Sequence, residues 1–214
     1  MDRIHIRHIT LRSWFPPNDP IATAVARLCV LREDFFMELQ GIGMTESIES
    51  LDQNSDAWRR MYFWRKSLRT LEEIRKTLNT LGAQEDFRKA LSKEPQEIRD
   101  AFKKLKKEMN KASDEFLRDL GNTIGAHLDQ KAFQRALNEM DITRKGLLEL
   151  GDTLGGIHYK FSSELILAVL LQGVSDDKLI PKLKEILEKT AKLMSCLVSI
   201  DNAIACYARE RSLH

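Results

Sequence analysis

The sequence predicts an all-α fold, a bundle of about six or seven helices around a long central helix. Apolar residues recur at steps of three and four through most of the 214 residues, and helix-start and helix-stop residues bound those stretches. Composition agrees: 43% of residues are apolar and 31% charged, ordinary for a folded chain and too hydrophobic for disorder.

Residues 3–15, RIHIRHITLRSWF, alternate apolar and basic positions before Pro16 and Pro17, which stop regular structure. This predicts an N-terminal arm over residues 1–18, strand-like in period. Asp19 and Pro20 then suit the N-cap and first position of a helix whose stripe is Val25, Leu28, Leu31, Phe35 and Leu39, ending at Gly41 and Gly43. After a polar loop, Ser55 or Asp56 can cap a second helix running to about Leu81, with Met61, Leu68, Leu71, Leu78 and Leu81 inward and Gly82 past its end.

A short helix is expected around Asp86 to Leu91, and Pro95 can open the most regular helix of the chain. Its stripe reads Ile98, Phe102, Leu105, Met109, Ala112, Phe116, Leu120 and Ile124, with His127 next in line. A short helix near Lys131 to Met140, a Gly-rich passage at 146–156, a helix ending in the apolar run through Leu171, and a last helix from about Asp176 toward Arg209 complete the chain. Residues 19–214 are therefore expected to form one helical domain; there is no internal repeat.

The formal charge of +2 comes from many charges of both signs, so no global field marks a nucleic-acid binder and only local patches could act as one. Cys29, Cys196 and Cys206 have neither the paired spacing of a zinc site nor that of a disulfide framework, and buried reduced thiols are expected. The longest strongly apolar run, Leu165 to Leu171, is too short to span a bilayer, and Asp2, Arg3, Arg7 and Arg12 interrupt any signal-peptide core; no membrane association and a cytoplasmic location are expected.

Chemistry concentrates in RDLGNTIGAHLD, residues 118–129. The pattern Asn122-Thr-Ile-Gly-Ala-His127 resembles the helix-end motif of the HEPN superfamily, in which an Arg is followed by Asn, Asp or His and then by a His. The Arg- and aromatic-rich second helix, RRMYFWRKSLRTLEEI, the long helix leading into the motif and the later HYKF passage are similar to HEPN-like proteins of the abortive-infection kind. The resemblance implies a HEPN-like helical domain over residues 19–214. It also implies a homodimer acting as a defence- or toxin-type, metal-independent ribonuclease that needs no cofactor.

In that chemistry a histidine near neutral pKa moves the 2′-hydroxyl or leaving-oxygen proton while an arginine stabilises the phosphorane. Candidate catalytic residues are thus His127, Asn122 and Arg118. The frame departs from the family at Gly121, which stands where the arginine should. Arg118 lies nine positions before His127, on the opposite face of a continuous helix, and can help only if the helix breaks at Gly121 or Gly125 or if a second subunit supplies it. Arg144 and Lys145 in the next loop, and Lys131, are other cation candidates. Tyr62, Arg65, Arg69 and Glu73 fall along one face of the second helix as a row able to contact bases and phosphates, though a solvated, salt-bridged face explains the Arg and Glu equally well.

A structural alternative accompanies the motif. Gly121 and Gly125 have the spacing that lets two helices approach closely, and a cationic His127 at a helix end is favoured by about 0.3–1 kcal/mol. The chain would then be a non-catalytic binding module, antitoxin-like or a nucleotide-binding accessory, acting through a protein partner. His5 and His8 point to opposite sides of an extended arm and predict no metal site. Arg3, Arg7, Arg12, Trp14 and Phe15 could meet RNA or tether the arm to a neighbour. The lysines between Phe102 and Lys111 match the outside of an amphipathic helix. Gly151, Gly155 and Gly156 do not make a phosphate loop, and His158 with Tyr159 is a second, weaker site.

Overall fold

The computed structural model describes residues 10–43, 53–121, 124, 129–139, 161–194 and 197–212, and every regular element among them is helical. The arm is the first departure from expectation. Leu11–Trp14 (α1) is a single helical turn in which the Thr10 carbonyl accepts the Ser13 and Trp14 amides, so this part of the arm is not strand-like. The turn is docked: the Tyr207 hydroxyl donates to the Trp14 carbonyl, and Phe15 stacks on the Tyr207 ring at 6.1 Å.

Pro20–Gly43 (α2) begins where Asp19 Oδ1 accepts the amides of Ile21 and Ala22 at 2.9 and 3.0 Å, the expected cap. It packs antiparallel on Gln53–Ala83 (α3), as successive contacts show: Arg27 with Glu73, Glu38 with Thr70, and Gly41 under the Phe63 ring, which leaves no room for a side chain there. α3 starts before the Ser55 and Asp56 caps foreseen for it. It is the central element: Leu68, Leu71, Ile74, Leu78 and Leu81 are wholly buried.

Glu85–Ser92 (α4) sets Phe87 against Phe102 of Gln96–Ala112 (α5), with ring centroids 5.4 Å apart. α5 does not continue as a plain α-helix. Ser113–Leu117 is a π-turn that leads into Arg118–Leu120 (α6). The extra residue of such a turn shifts the helical phase. The buried face therefore widens to take in Leu117, which is wholly buried, and Gly121, beside buried Phe116 and Ile124 and partly covered Leu120. The expected stripe holds across the π-turn: Phe116 and Ile124 are buried, and Leu120 is packed against the core.

Gln130–Glu139 (α7) packs on Phe161–Leu170 (α8). The expected last helix is described as a 3₁₀ turn, Asp176–Lys178, and two stretches, Leu179–Met194 (α9) and Leu197–Ser212 (α10). α9 meets α5, whereas α10 closes the bundle over α2, α4 and α5 with buried Ile200, Ala203, Cys206 and Tyr207. Paired contacts from Arg209 to Glu94 and from Arg32 to Asp201 bind α10 to its neighbours at the surface. None of the described helices is long and apolar enough to cross a membrane.

Candidate nucleic-acid interface

The N-terminal half of α3 has an unusual charge pattern. Between Asp56 and Glu72 it carries Arg59, Arg60, Arg65, Lys66 and Arg69 and no acidic residue, with Tyr62, Phe63 and Trp64 set among them. The helix buries Trp64 and leaves the Tyr62 ring 38% exposed. Residues three and four further on return to the same face. Arg65 and Lys66 accordingly stand over the Tyr62 ring, with the guanidinium carbon 5.7 Å and the ammonium 5.8 Å from its centroid.

Arg65 forms no ion pair with a carboxylate among the described residues, and its Nε is buried without a hydrogen-bond partner. Burial pulls this guanidinium below its ordinary pKa, and the nearby Tyr62 opposes the shift only in part. Such a cation gains from any anion that reaches it. Arg69, the third cation of the expected row, differs: its Nη2 lies 2.8 Å from Glu73 Oε1. Glu73 also takes Lys76 at 3.0 Å and Arg27 from α2. Burial alone would raise the Glu73 carboxyl, but the three cations outweigh it and hold the group below the usual carboxylate range.

On the other flank Glu38 reaches from α2. Its Oε1 accepts the Thr70 hydroxyl at 2.8 Å, and its Oε2 is buried without a partner. Burial pushes this carboxyl up to about 7, with Asp34 adding to the rise and Thr70 and Lys66 opposing it.

The motif helix crosses α3 beside this patch. A Cβ on Gly121 would sit 3.3 Å from the Leu68 carbonyl oxygen and 3.8 Å from the Arg69 Cα. Gly121 is thus pressed against main chain. Arg118 faces solvent, 56% exposed, with Asp119 3.7 Å from its Nε. Polar contacts from Glu72, Arg75 and Asn79 of α3 to Ser113 and Asn110 flank this crossing. Glu72, fully buried, accepts two bonds from Arg75 at 2.7 and 2.9 Å and the Ser113 hydroxyl at 3.1 Å. Asn110 Oδ1 accepts Asn79 Nδ2 at 2.8 Å and Arg75 Nη1 at 3.3 Å. Desolvation would raise the Glu72 carboxyl, yet the Arg75 and Ser113 bonds together keep it low.

Of the residues the sequence singles out, Tyr62 and Arg65 come together, Arg69 is turned to Glu73, and Arg118 is exposed. Lys131 is also exposed, on the first turn of α7. His127, Asn122, Gly125, Arg144, Lys145, His158, Tyr159, His5 and His8 lie outside the described residues. Sequence reasoning missed Lys66, although its i+4 spacing from Tyr62 was available, and missed Glu38 and Arg27, which reach α3 only through the fold. The lysines of α5 line a groove of about 440 Å³ against α9, where Lys104, Lys111 and Lys189 lie within 4 Å of Glu108 or Glu115, the solvated face expected of them. Compared with known proteins, the chain matches no family model, no curated protein and no solved structure.

Proposed function

We propose that this chain is a HEPN-like, RNA-associated helical protein that binds single-stranded RNA on the N-terminal half of α3. The observation that carries the reading is the Tyr62 ring with Arg65 and Lys66 over it, Arg65 having no acidic partner among the described residues. Aromatic and guanidinium planes stack on bases of any sequence, and the charges answer the phosphates. In this proposal the protein works as a homodimer, as in the active members of the superfamily it resembles, and His127 moves the proton of a metal-independent cleavage. Exposed Arg118 of either subunit stabilises the phosphorane.

The packing of Gly121 on Leu68 favours a second reading, binding without cleavage, because the position of the family's arginine is spent on a helix crossing. One experiment separates the two. A mixed RNA pool is incubated with EDTA and wild-type protein beside His127→Ala and Tyr62→Ala, and cleavage and retention are both scored. Cleavage lost in His127→Ala supports the nuclease. Equal background with retention lost in Tyr62→Ala supports the binding module, and retention unaffected by Tyr62→Ala rejects the α3 site.

A further inference from the structure

Along α3 the residues Tyr62, Lys66, Arg69, Glu73 and Lys76 share the outward face, rising about 5.4 Å per turn. Glu73 is the single carboxylate on that face between Tyr62 and Lys76, and three cations converge on it: Arg69 from one turn before, Lys76 from the next turn and Arg27 from α2. The Glu73 side chain is 14% exposed, while those of Arg27 and Lys76 are about half exposed at 52% and 44%. The hub therefore holds two positive charges more than negative ones, at the surface. It also lies directly in line with the aromatic end of the helix.

We propose that Glu73 is the residue that ends the RNA-binding track on α3, its carboxylate occupying the place a backbone phosphate would take among Arg27, Arg69 and Lys76. This rests on the RNA-binding reading above. Arg65 and Lys66 take the phosphates next to the stacked base. Further along, Arg27, Arg69 and Lys76 are turned onto the Glu73 carboxylate, so the place a phosphate would take among them is filled and the strand leaves the helix there. Glu73 thereby limits the length of strand bound and its salt dependence, and does so without touching the ligand.

Each phosphate neutralised on a single strand contributes a slope of about −0.7 to log K against log[salt]. The experiment measures that slope by fluorescence anisotropy with a labelled oligouridylate for wild type, Glu73→Gln, and Glu73→Gln carrying Arg27→Gln and Lys76→Gln. The amide of Glu73→Gln still accepts hydrogen bonds but no longer neutralises the cations. Tighter binding and a slope steeper by about 0.7 to 2 are expected, one to three phosphates gained, with both reversed in the triple variant. Unchanged or weaker binding by Glu73→Gln overturns the proposal, as does a gain that survives the triple variant. Tyr62→Ala in the same assay tests the parent reading separately. If wild-type binding does not depend on Tyr62, the α3 site itself fails; if it does while Glu73→Gln changes nothing, only the role of Glu73 fails.

Discussion

Gly121 lies against the main chain of Leu68, with 3.3 Å between the carbonyl oxygen and the place a Cβ would occupy. A helix carbonyl cannot rotate away as a side chain can, so an added side chain requires the two helices to give by a few tenths of an ångström. Gly121→Ala is expected to cost about 1–3 kcal/mol, in the range of overpacked cores. Gly121→Arg should cost more. Urea denaturation of both variants checks this. An arginine variant as stable as wild type would show that the crossing yields.

The buried Glu72 carboxylate gives a second expectation, with a definite pH sign. Its folded pKa is depressed, because the bonds from Arg75 and Ser113 outweigh desolvation. The unfolded chain therefore binds its proton at higher pH, and the stabilisation is present above the ordinary carboxylate value and lost as pH falls below it. Ser113→Ala should cost about 1–3 kcal/mol at pH 7 by removing one bond to a buried charge. The difference from wild type should shrink at pH 3, because the folded variant, holding the Glu72 charge less well, takes up its proton at higher pH than folded wild type. Thermal unfolding at the two pH values reads this, and a difference that does not shrink would mean that the Ser113 hydroxyl acts elsewhere than on Glu72.

The fold was legible because it is written locally. Asp19 and Pro20 set the start of α2, and Leu68, Leu71, Leu78 and Leu81 mark the buried face of α3 by spacing alone. The π-turn was not legible, since the steps Met109, Ala112 and Phe116 fit an unbroken helix. At its first residue Ser113 donates to Glu72, a carboxylate on another helix, and the two meet only in three dimensions. The site divides the same way. Tyr62 and Arg65 could be paired from an i+3 spacing, whereas the capture of Arg69 by a Glu73 already shared with Arg27 of α2 depends on which helices are neighbours.

Glu38 carries the opposite pH sign to Glu72. Its folded pKa is raised to about 7, chiefly by burial, from the ordinary 4.5. Stability linked to it is complete below the unfolded value and falls as pH rises through about 7. Glu38→Gln should therefore leave stability near wild type at pH 4, yet exceed wild type at pH 8 by about 1–2 kcal/mol. That is less than the full shift converts to, because part of the side chain meets water. Denaturant midpoints at the two pH values are the check. A variant equally destabilised at both would mean that the hydrogen bond with Thr70 outweighs the charge.

Arg65 separates charge from shape at the α3 site. A lysine at position 65 keeps the positive charge but has no planar group to lie over Tyr62 or against a base, and it places its charge as a point instead of a fork. If Arg65 acts only by attracting phosphate, Arg65→Lys should bind single-stranded RNA like wild type with the same salt slope, and Arg65→Ala should lose about 0.7 of slope. The geometry over the Tyr62 ring predicts otherwise. Arg65→Lys should keep the slope and still lose affinity, by part of the roughly 1–3 kcal/mol that one stacking contact contributes. Combined with Tyr62→Ala, it should cost less than the sum of the two single changes, since ring and guanidinium then serve one base together. Anisotropy titrations of the four proteins at two salt concentrations decide it. Strict additivity with full affinity in Arg65→Lys would reduce the site to a charged patch.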